Sequence, residues 1–400
     1  MKLTTDFECG SGIPQELGKH HWRIETVSDR CGYNKYFCFE IDASGDSDVA
    51  TARIEIWPDP SMGGRSPFMC HFPSPIWHST RNWQRWSPLR HIWEESVQFH
   101  PDHIELTIPV QPGVRMQVAS NWPCRYSDLV AWISQIQDRH PGQVAMGTLG
   151  MSHGGRDIPV LYIGSGQPRF CVVAGQHPSE HSGVWASRGI VEYLLSNIRE
   201  ARALRETFQV AVIPMLNVDG NVLGRSAVGL QQFEHNNSMD FEGAANGVIP
   251  AYTENALLWD WMSNRFPPNL LLHFHGYLGW RTFGDLPADG LYVVPDQKDE
   301  AANSPRRKLQ QAVLDRFLFE SSAHTGHFGE VGDTPPSFLD SEVVKAFGSA
   351  VVCCEINAGT TGAAGQFRRG VDAFLAMANA AAIDCADALA ELPHPNTEIK

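Results

Sequence analysis

From about residue 125 onward the chain alternates short, mostly apolar runs with stretches of helical periodicity, and this alternation constrains its fold most. The apolar runs are Arg169 to Ala174, Phe208 to Leu216, Asn269 to Phe274 and Ala350 to Ile356. Helical spacing of apolar residues marks Ser127 to Ile136, Ser182 to Arg199, Glu254 to Met262, Lys308 to Ser321 and an Ala-rich stretch from Gly370 to Leu392. A strand buried on both faces needs no polar alternation, and helices between such strands cover both sides of a mostly parallel sheet.

The first part of the chain has a different texture. Tyr36 to Ile41, Thr51 to Trp57 and His103 to Val110 are rich in β-branched and aromatic residues, alternate partly with period two, and are separated by Gly, Pro, Asp and Ser clusters. The 400 residues also exceed what one core usually holds. The expected fold class is therefore α/β: a mixed, mostly parallel sheet flanked by helices over residues 119–400, preceded by an antiparallel β-sandwich domain over residues 1–118. The Trp-rich piece from Trp77 to Trp93 reads as aromatic packing between sheets, with a ligand-stacking surface as the other reading.

Composition removes several functions. A formal net charge of -14 argues against a non-specific nucleic-acid binder, whose affinity comes from Lys and Arg at phosphates. No run of 18 apolar residues suggests a membrane span, and Met1 to Gly10 lacks the apolar segment of a signal peptide. Nine scattered cysteines, an odd number, point to free thiols and a cytoplasmic setting.

Chemistry concentrates at the ends of the apolar runs. His177-Pro-Ser-Glu180 follows the first of them, and His273-Phe-His275-Gly-Tyr277 closes the third. In open α/β sheets, sites form at the carboxyl ends of strands. Two histidines and a glutamate are one known donor set for catalytic zinc, which keeps a further position for water. His177, Glu180 and His275 are accordingly the candidate ligands for one Zn2+, with His273 as support. Glu355, a carboxylate inside an apolar run, is costly to bury unless paired or functional, and is the candidate general base. The plainer readings are a helix N-terminus with a favourable Glu180, a core histidine at 275 and a salt-bridged strand-end Glu355.

These residues resemble the zinc metallocarboxypeptidase family, and within it the cytosolic carboxypeptidase branch. The family's His-Pro-Gly-Glu is His177-Pro-Ser-Glu180 here, and its Asn-Pro-Asp-Gly is Asn217-Val-Asp-Gly220. His275-Gly-Tyr277 matches the surroundings of its third zinc ligand. Trp122 to Leu129 resembles the segment joining the branch's N-terminal β-domain to its catalytic domain, and Gly154-Gly-Arg-Asp-Ile158 and Phe7 to Gly12 add to the likeness. By that resemblance Glu355 carries the general-base role, and the activity is zinc-dependent hydrolysis of a peptide or peptide-like amide by a carboxypeptidase-type metallopeptidase.

The pattern departs where substrate is read. The family follows Asn-Pro-Asp-Gly with an Arg and then an Asn-Arg pair that grip the substrate's terminal carboxylate. Here Arg225 is the lone arginine of Gly224 to Phe241 and falls about two positions early, while Asn236-Asn237 occupies the Asn-Arg neighbourhood. Asn cannot supply a bidentate guanidinium grip. Arg225 is the candidate carbonyl-polarising group, a surface-loop arginine being the other reading. Asn236, Asn237 and Tyr277 are candidate substrate contacts, Tyr292 a weaker one, and Arg281, Arg368 and Arg369 substitute cations. The alternatives carried are a zinc amidase or deacylase acting on a small acylated or amidated compound, and a non-catalytic peptide- or glycan-binding protein. The expected partner is a peptide-like substrate, with neither nucleic acid nor membrane; the sequence is silent on oligomeric state.

Overall fold

A computed structural model gives the fold and describes residues 1–27, 36–48, 50–59, 76–80, 86–88, 97–226, 240–277, 289–293, 304–320, 325–327, 338–357 and 362–392; for 88, 277, 289–293, 318–320, 325–327 and 357 it describes the backbone alone. Two five-stranded sheets lie in the N-terminal part. The first has the order β1 (Lys2–Thr4), β4 (Cys38–Asp42), β10 (Arg115–Ala119), β6 (Trp77–Ser79), β7 (Ser87–Pro88), with every neighbour antiparallel. The second has the order β2 (Ile13–Gly18), β3 (His21–Glu25), β5 (Ala50–Trp57), β9 (Ile104–Val110), β8 (Val97–Phe99). Here β3 and β5 run parallel, from His21 opposite Arg53 to Glu25 opposite Trp57, so the arrangement is not uniformly antiparallel. The cause is connectivity: after β3 the chain lays β4 into the other sheet and returns beside β3 in the same direction.

Period-two alternation decides which faces meet. Along β5, Ala52, Ile54 and Ile56 are buried while Thr51 and Arg53 face out, and β9 alternates likewise. Those inward residues join Phe39, Ile41, Met116 and Val118 of the first sheet in one apolar cluster. Trp77 and Trp86 are buried with Tyr36, Cys38 and Ala119 on the face of the first sheet turned away from that shared core, so the described part of the Trp-rich segment packs in a cluster of its own and not between the sheets as expected.

The third sheet has eight strands in the order β11 (Val144–Met151), β12 (Asp157–Ile163), β14 (Gln209–Ile213), β13 (Arg169–Val173), β15 (Leu270–Tyr277), β18 (Ala350–Asn357), β16 (Asp289–Val293), β17 (Thr325–His327). Its central neighbours β14, β13, β15 and β18 are parallel, and antiparallel pairings appear on either side of them. This is the mixed sheet expected from the apolar runs, and its core unites those strands with helices from both sides.

The helices in chain order are α1 (Tyr126–Arg139), α2 (His181–Leu194), α3 (Arg199–Thr207), α4 (Val218–Val222), α5 (Phe241–Ala245), α6 (Glu254–Asn264), α7 (Pro305–Glu320), α8 (Leu339–Phe347) and α9 (Ala363–Asn379). Helix α1 buries Leu129, Trp132, Ile133 and Ile136, one stripe at 3.6-residue spacing. The expected helix from Ser182 to Arg199 ends early, because the Arg205 guanidinium returns from α3 to cap the carbonyls of Leu194 and Ser196. The expected C-terminal helix starts earlier and is interrupted, with the Cys385 amide bonding the Ala380 carbonyl five residues back in a π turn. Helices α2 and α9 approach closely at two glycines: a Cβ at Gly189 would lie 2.4 Å from the Phe367 carbonyl oxygen, and one at Gly370 2.2 Å from that of Ala186. This contact holds α2, and with it the loop that enters α2, against the sheet.

The described cysteines are free thiols, and all but Cys385 are buried. Cys353 and Cys354 both lie inside although they point to opposite faces of β18, because the sheet is covered on both sides. No helix among the described residues is long and apolar enough to cross a membrane.

Candidate metal centre

Three adjacent parallel strands deliver the candidate residues at their carboxyl ends. Strand β13 ends at Val173, and Gly175, with φ at +66°, turns the chain into the loop that carries His177 and Glu180 to the start of α2. Strand β15 brings His275, and β18 brings Glu355 directly opposite it in register. Residues in register on neighbouring parallel strands share a face of the sheet, so Glu355 flanks His275 on the same side.

His177, Glu180 and His275 converge. His177 Nδ1 lies 3.0 Å from Glu180 Oε1, His275 Nδ1 lies 3.0 Å from Glu180 Oε2, and the two Nδ1 atoms are 3.2 Å apart. The residues are 3%, 5% and 8% exposed, so the cluster is shut off from bulk water. Gly276 permits the approach: its amide donates to Glu180 Oε2 at 3.0 Å, and a Cβ there would sit 2.1 Å from Ser182 Oγ.

The donor chemistry fits a metal ion. Two imidazole nitrogens face each other and one carboxylate at hydrogen-bonding distance, an arrangement that needs a proton or a metal ion between the donors. A cation among the three donors satisfies all of them, and two His with one Glu is a zinc set. Burial alone would lower the His275 pKa, but the Glu180 hydrogen bond and charge, with Glu355 and Asp340 behind them, raise it to about 9. The carboxylates around His275 thus favour a positive charge at this point.

A second layer fixes these groups. His273 turns Nδ1 to Asp340 Oδ1, 2.9 Å away at the start of α8, and stands edge-on to His275 with ring centroids 4.3 Å apart. Burial lowers the His273 pKa and keeps the ring neutral, in keeping with a supporting place. The backbone of the 177–180 loop is pinned from outside: Asn121 Nδ2 donates to the Ser179 carbonyl at 2.6 Å, and Ser179 Oγ donates to the Ser226 carbonyl at 2.9 Å. Asn221 Nδ2 donates to the Cys124 carbonyl at 3.0 Å and reaches the Pro178 carbonyl at 3.4 Å, while its Oδ1 accepts the Tyr126 amide. His181, beside Glu180, accepts the Cys124 amide on Nδ1 and receives the Tyr36 ring against it at 5.3 Å. Burial drives the His181 pKa down to about 3, so it serves as a neutral acceptor.

Asn121, Asn221 and His181 are absent from the residues singled out in the sequence. A lone Asn carries no motif, and their work depends on contacts across 40 to 97 positions of chain. Two motifs quoted for the resemblance form one knot. Asp219 accepts Ser152 Oγ at 2.9 Å, the Gly154 amide at 2.7 Å and Arg156 Nη1 at 2.8 Å, while Asn217 caps α4 through the Gly220 amide.

The substrate-reading candidates are only partly described. Arg225 is half-buried just after α4, its amide donating to the Gly220 carbonyl, and it adjoins Ser226, whose carbonyl receives Ser179 of the metal loop. Asn236, Asn237 and Arg281 lie outside the described residues, and for Tyr277 and Tyr292 only the strand backbone is described. Arg368 is a solvent-facing helix residue, 82% exposed and 3.7 Å from Asp372 one turn on.

The chain is similar to known proteins in part of its sequence and in its fold. Residues 129–248 match the zinc carboxypeptidase family. A 114-residue stretch is 34% identical to cytosolic carboxypeptidase 2 of Xenopus tropicalis, covering 26% of this chain and 12% of that protein. A 111-residue stretch is 32% identical to human cytosolic carboxypeptidase 4, covering 28% of this chain and 10% of that protein. The chain thus matches a small part of the length of these curated relatives. Among solved structures, a putative carboxypeptidase A from Shewanella denitrificans superposes with a TM-score of 0.77 over 96% of this chain and 99% of that one at 20% identity. A metallo-carboxypeptidase from Pseudomonas aeruginosa, in complex with (2-guanidinoethylmercapto)succinic acid, gives 0.75 over 97% and 100% at 16% identity. At these identities the structural likeness establishes a common fold.

Proposed function

We propose that the chain is a zinc metallopeptidase that hydrolyses a peptide or peptide-like amide, with His177, Glu180 and His275 holding one Zn2+; the match of residues 129–248 to the zinc carboxypeptidase family supports this reading. The observation that carries this reading is the buried convergence of those three side chains with Glu355 in register beside them. When bound, zinc supplies a Lewis acid that polarises a carbonyl and lowers the pKa of water.

The chain's own residues do the rest. Glu355 accepts a proton from the attacking water on a carboxylate oxygen and passes it to the leaving amine. His273 and Asp340 hold the His275 ring in orientation. Arg225 steadies the charge that develops on the carbonyl oxygen; its place one residue before the carbonyl that anchors Ser179 supports this role. Asn236, Asn237 and Tyr277 are the further candidates for substrate contact. The dicarboxylate bound to the Pseudomonas neighbour favours a substrate with a free carboxylate over an acylated or amidated one.

Residues 1–118 form, in this reading, a β-sandwich domain of two sheets around a shared core, antiparallel except between β3 and β5, and residues 119–400 form the catalytic domain. The test is hydrolysis by the zinc-loaded protein of matched peptides with free and amidated C-termini. Cleavage of the free peptide alone supports a carboxypeptidase; cleavage of the amidated one alone replaces it with an amidase.

A further inference from the structure

The outer face of the second N-terminal sheet carries a cluster that this chemistry does not use. Strands β8 and β9 pair from Phe99 opposite Ile104, and the four residues between them close a tight turn in which the His100 amide donates to the His103 carbonyl at 2.9 Å. The turn sets the two imidazoles side by side, with ring centroids 4.3 Å apart and planes 9° from parallel. His103 also lies flat on Trp57 at 4.6 Å, and the Arg23 guanidinium covers the same indole at 4.6 Å. Glu105 stands on the outward side of β9 and accepts Arg53 on one carboxylate oxygen at 2.9 Å.

Three details go beyond ring stacking. The donor atoms of His100, His103 and Glu105 lie within 4.8 Å of one another. Asp102 accepts the His103 Nδ1 proton at 2.7 Å, which leaves Nε2 as the lone-pair nitrogen, in the way carboxylates orient metal-bound imidazoles. His100 Nε2 is buried and has no hydrogen-bond partner, a loss of about 1–3 kcal/mol that a cation would offset.

We propose that His100, His103 and Glu105 form a second metal site, which takes a divalent transition ion of the zinc class and pins the β8–β9 turn. Two imidazoles and one carboxylate select zinc over calcium or magnesium, which prefer all-oxygen shells. Donors around a tetrahedral zinc stand about 3.4 Å apart, and because imidazole lone pairs lie in the ring plane, binding turns the two rings out of their present stack to aim both nitrogens at one ion. Arg53 neutralises part of the Glu105 charge, and this site is therefore weaker than the buried one.

The test is zinc stoichiometry. The full chain, stripped with a chelator and titrated with Zn2+, is freed of unbound metal by gel filtration and analysed for zinc. The expected result is two equivalents for the wild type and one for the His100→Ala, His103→Ala double variant, with peptide hydrolysis unchanged in the latter. His177→Ala separates the two sites by keeping the outer equivalent. Asp102→Asn should weaken the outer site about 10–100-fold while leaving its saturating stoichiometry intact. One equivalent in the wild type, two in the double variant, or wild-type affinity in Asp102→Asn overturns the proposal.

Discussion

The buried and outer clusters present the same donors, two histidines and a glutamate, in opposite surroundings. At the buried cluster, His177, Glu180 and His275 are at most 8% exposed and come from the ends of two neighbouring parallel strands. Their partners are mainly one another, with His273 and Asp340 behind. At the outer cluster, His100, His103 and Glu105 come from one hairpin, are partly buried, and share an arginine and an indole with the sheet. The lesson is that donor identity does not set the strength of a site. A buried set of bases calls for a proton or a metal ion among them, whereas partial exposure and a neighbouring Arg53 make one optional.

The largest expected effect lies at the buried cluster. His177→Ala should remove its zinc and reduce hydrolysis to background, while the His100→Ala, His103→Ala protein hydrolyses normally; elemental analysis paired with a peptide assay reads both, and equal losses would erase the contrast. Next comes Glu355→Gln. It should keep the buried zinc yet lose about 10²–10⁴-fold in turnover, as measured by kcat at saturating substrate. Full turnover in that variant would remove Glu355 from the chemistry.

A smaller effect concerns a buried carboxyl outside both clusters. Glu254, 3% exposed at the start of α6, is lifted from 4.5 to about 7 by burial, with its own amide opposing and the Asp219 charge adding. Between those values the folded chain holds a proton that the unfolded chain has released, so stability falls as pH rises, by about 3 kcal/mol at most. Glu254→Gln should flatten that slope and be the more stable protein above neutral pH in denaturant titrations; a wild-type slope in the variant would refute the assignment. Smallest is Asp219→Asn, which weakens the knot with Ser152, Gly154 and Arg156 and should cost about 2 kcal/mol, read as a lower urea midpoint at unchanged slope. Unchanged zinc content in that protein would mark the knot as scaffold rather than part of the metal loop.

Much of this was legible from the chain alone. The apolar runs named the central strands, because a strand covered on both faces must be apolar throughout. The motif spacing named His177, Glu180 and His275 as candidates, and a carboxylate inside an apolar run named Glu355; they come together because parallel strands end on one edge. The parallel pairing of β3 with β5 was not legible, since alternation reports which face a residue takes and not the direction of its neighbour. The early end of α2 was hidden for a related reason: Arg205, the residue that caps it, belongs to the next helix.

The amino-acid sequence by itself determined the donor types, their order and the strands that carry them, because those depend on local pattern and short spacing. Only the tertiary structure decided that Asn121, Asn221 and His181 clamp the metal loop, and that a second His-His-Glu group assembles on the far sheet. The clamp rests on hydrogen bonds between segments distant in the chain, whereas the outer group comes from one hairpin, and what packing adds there is the closed turn and the seat of His103 on Trp57.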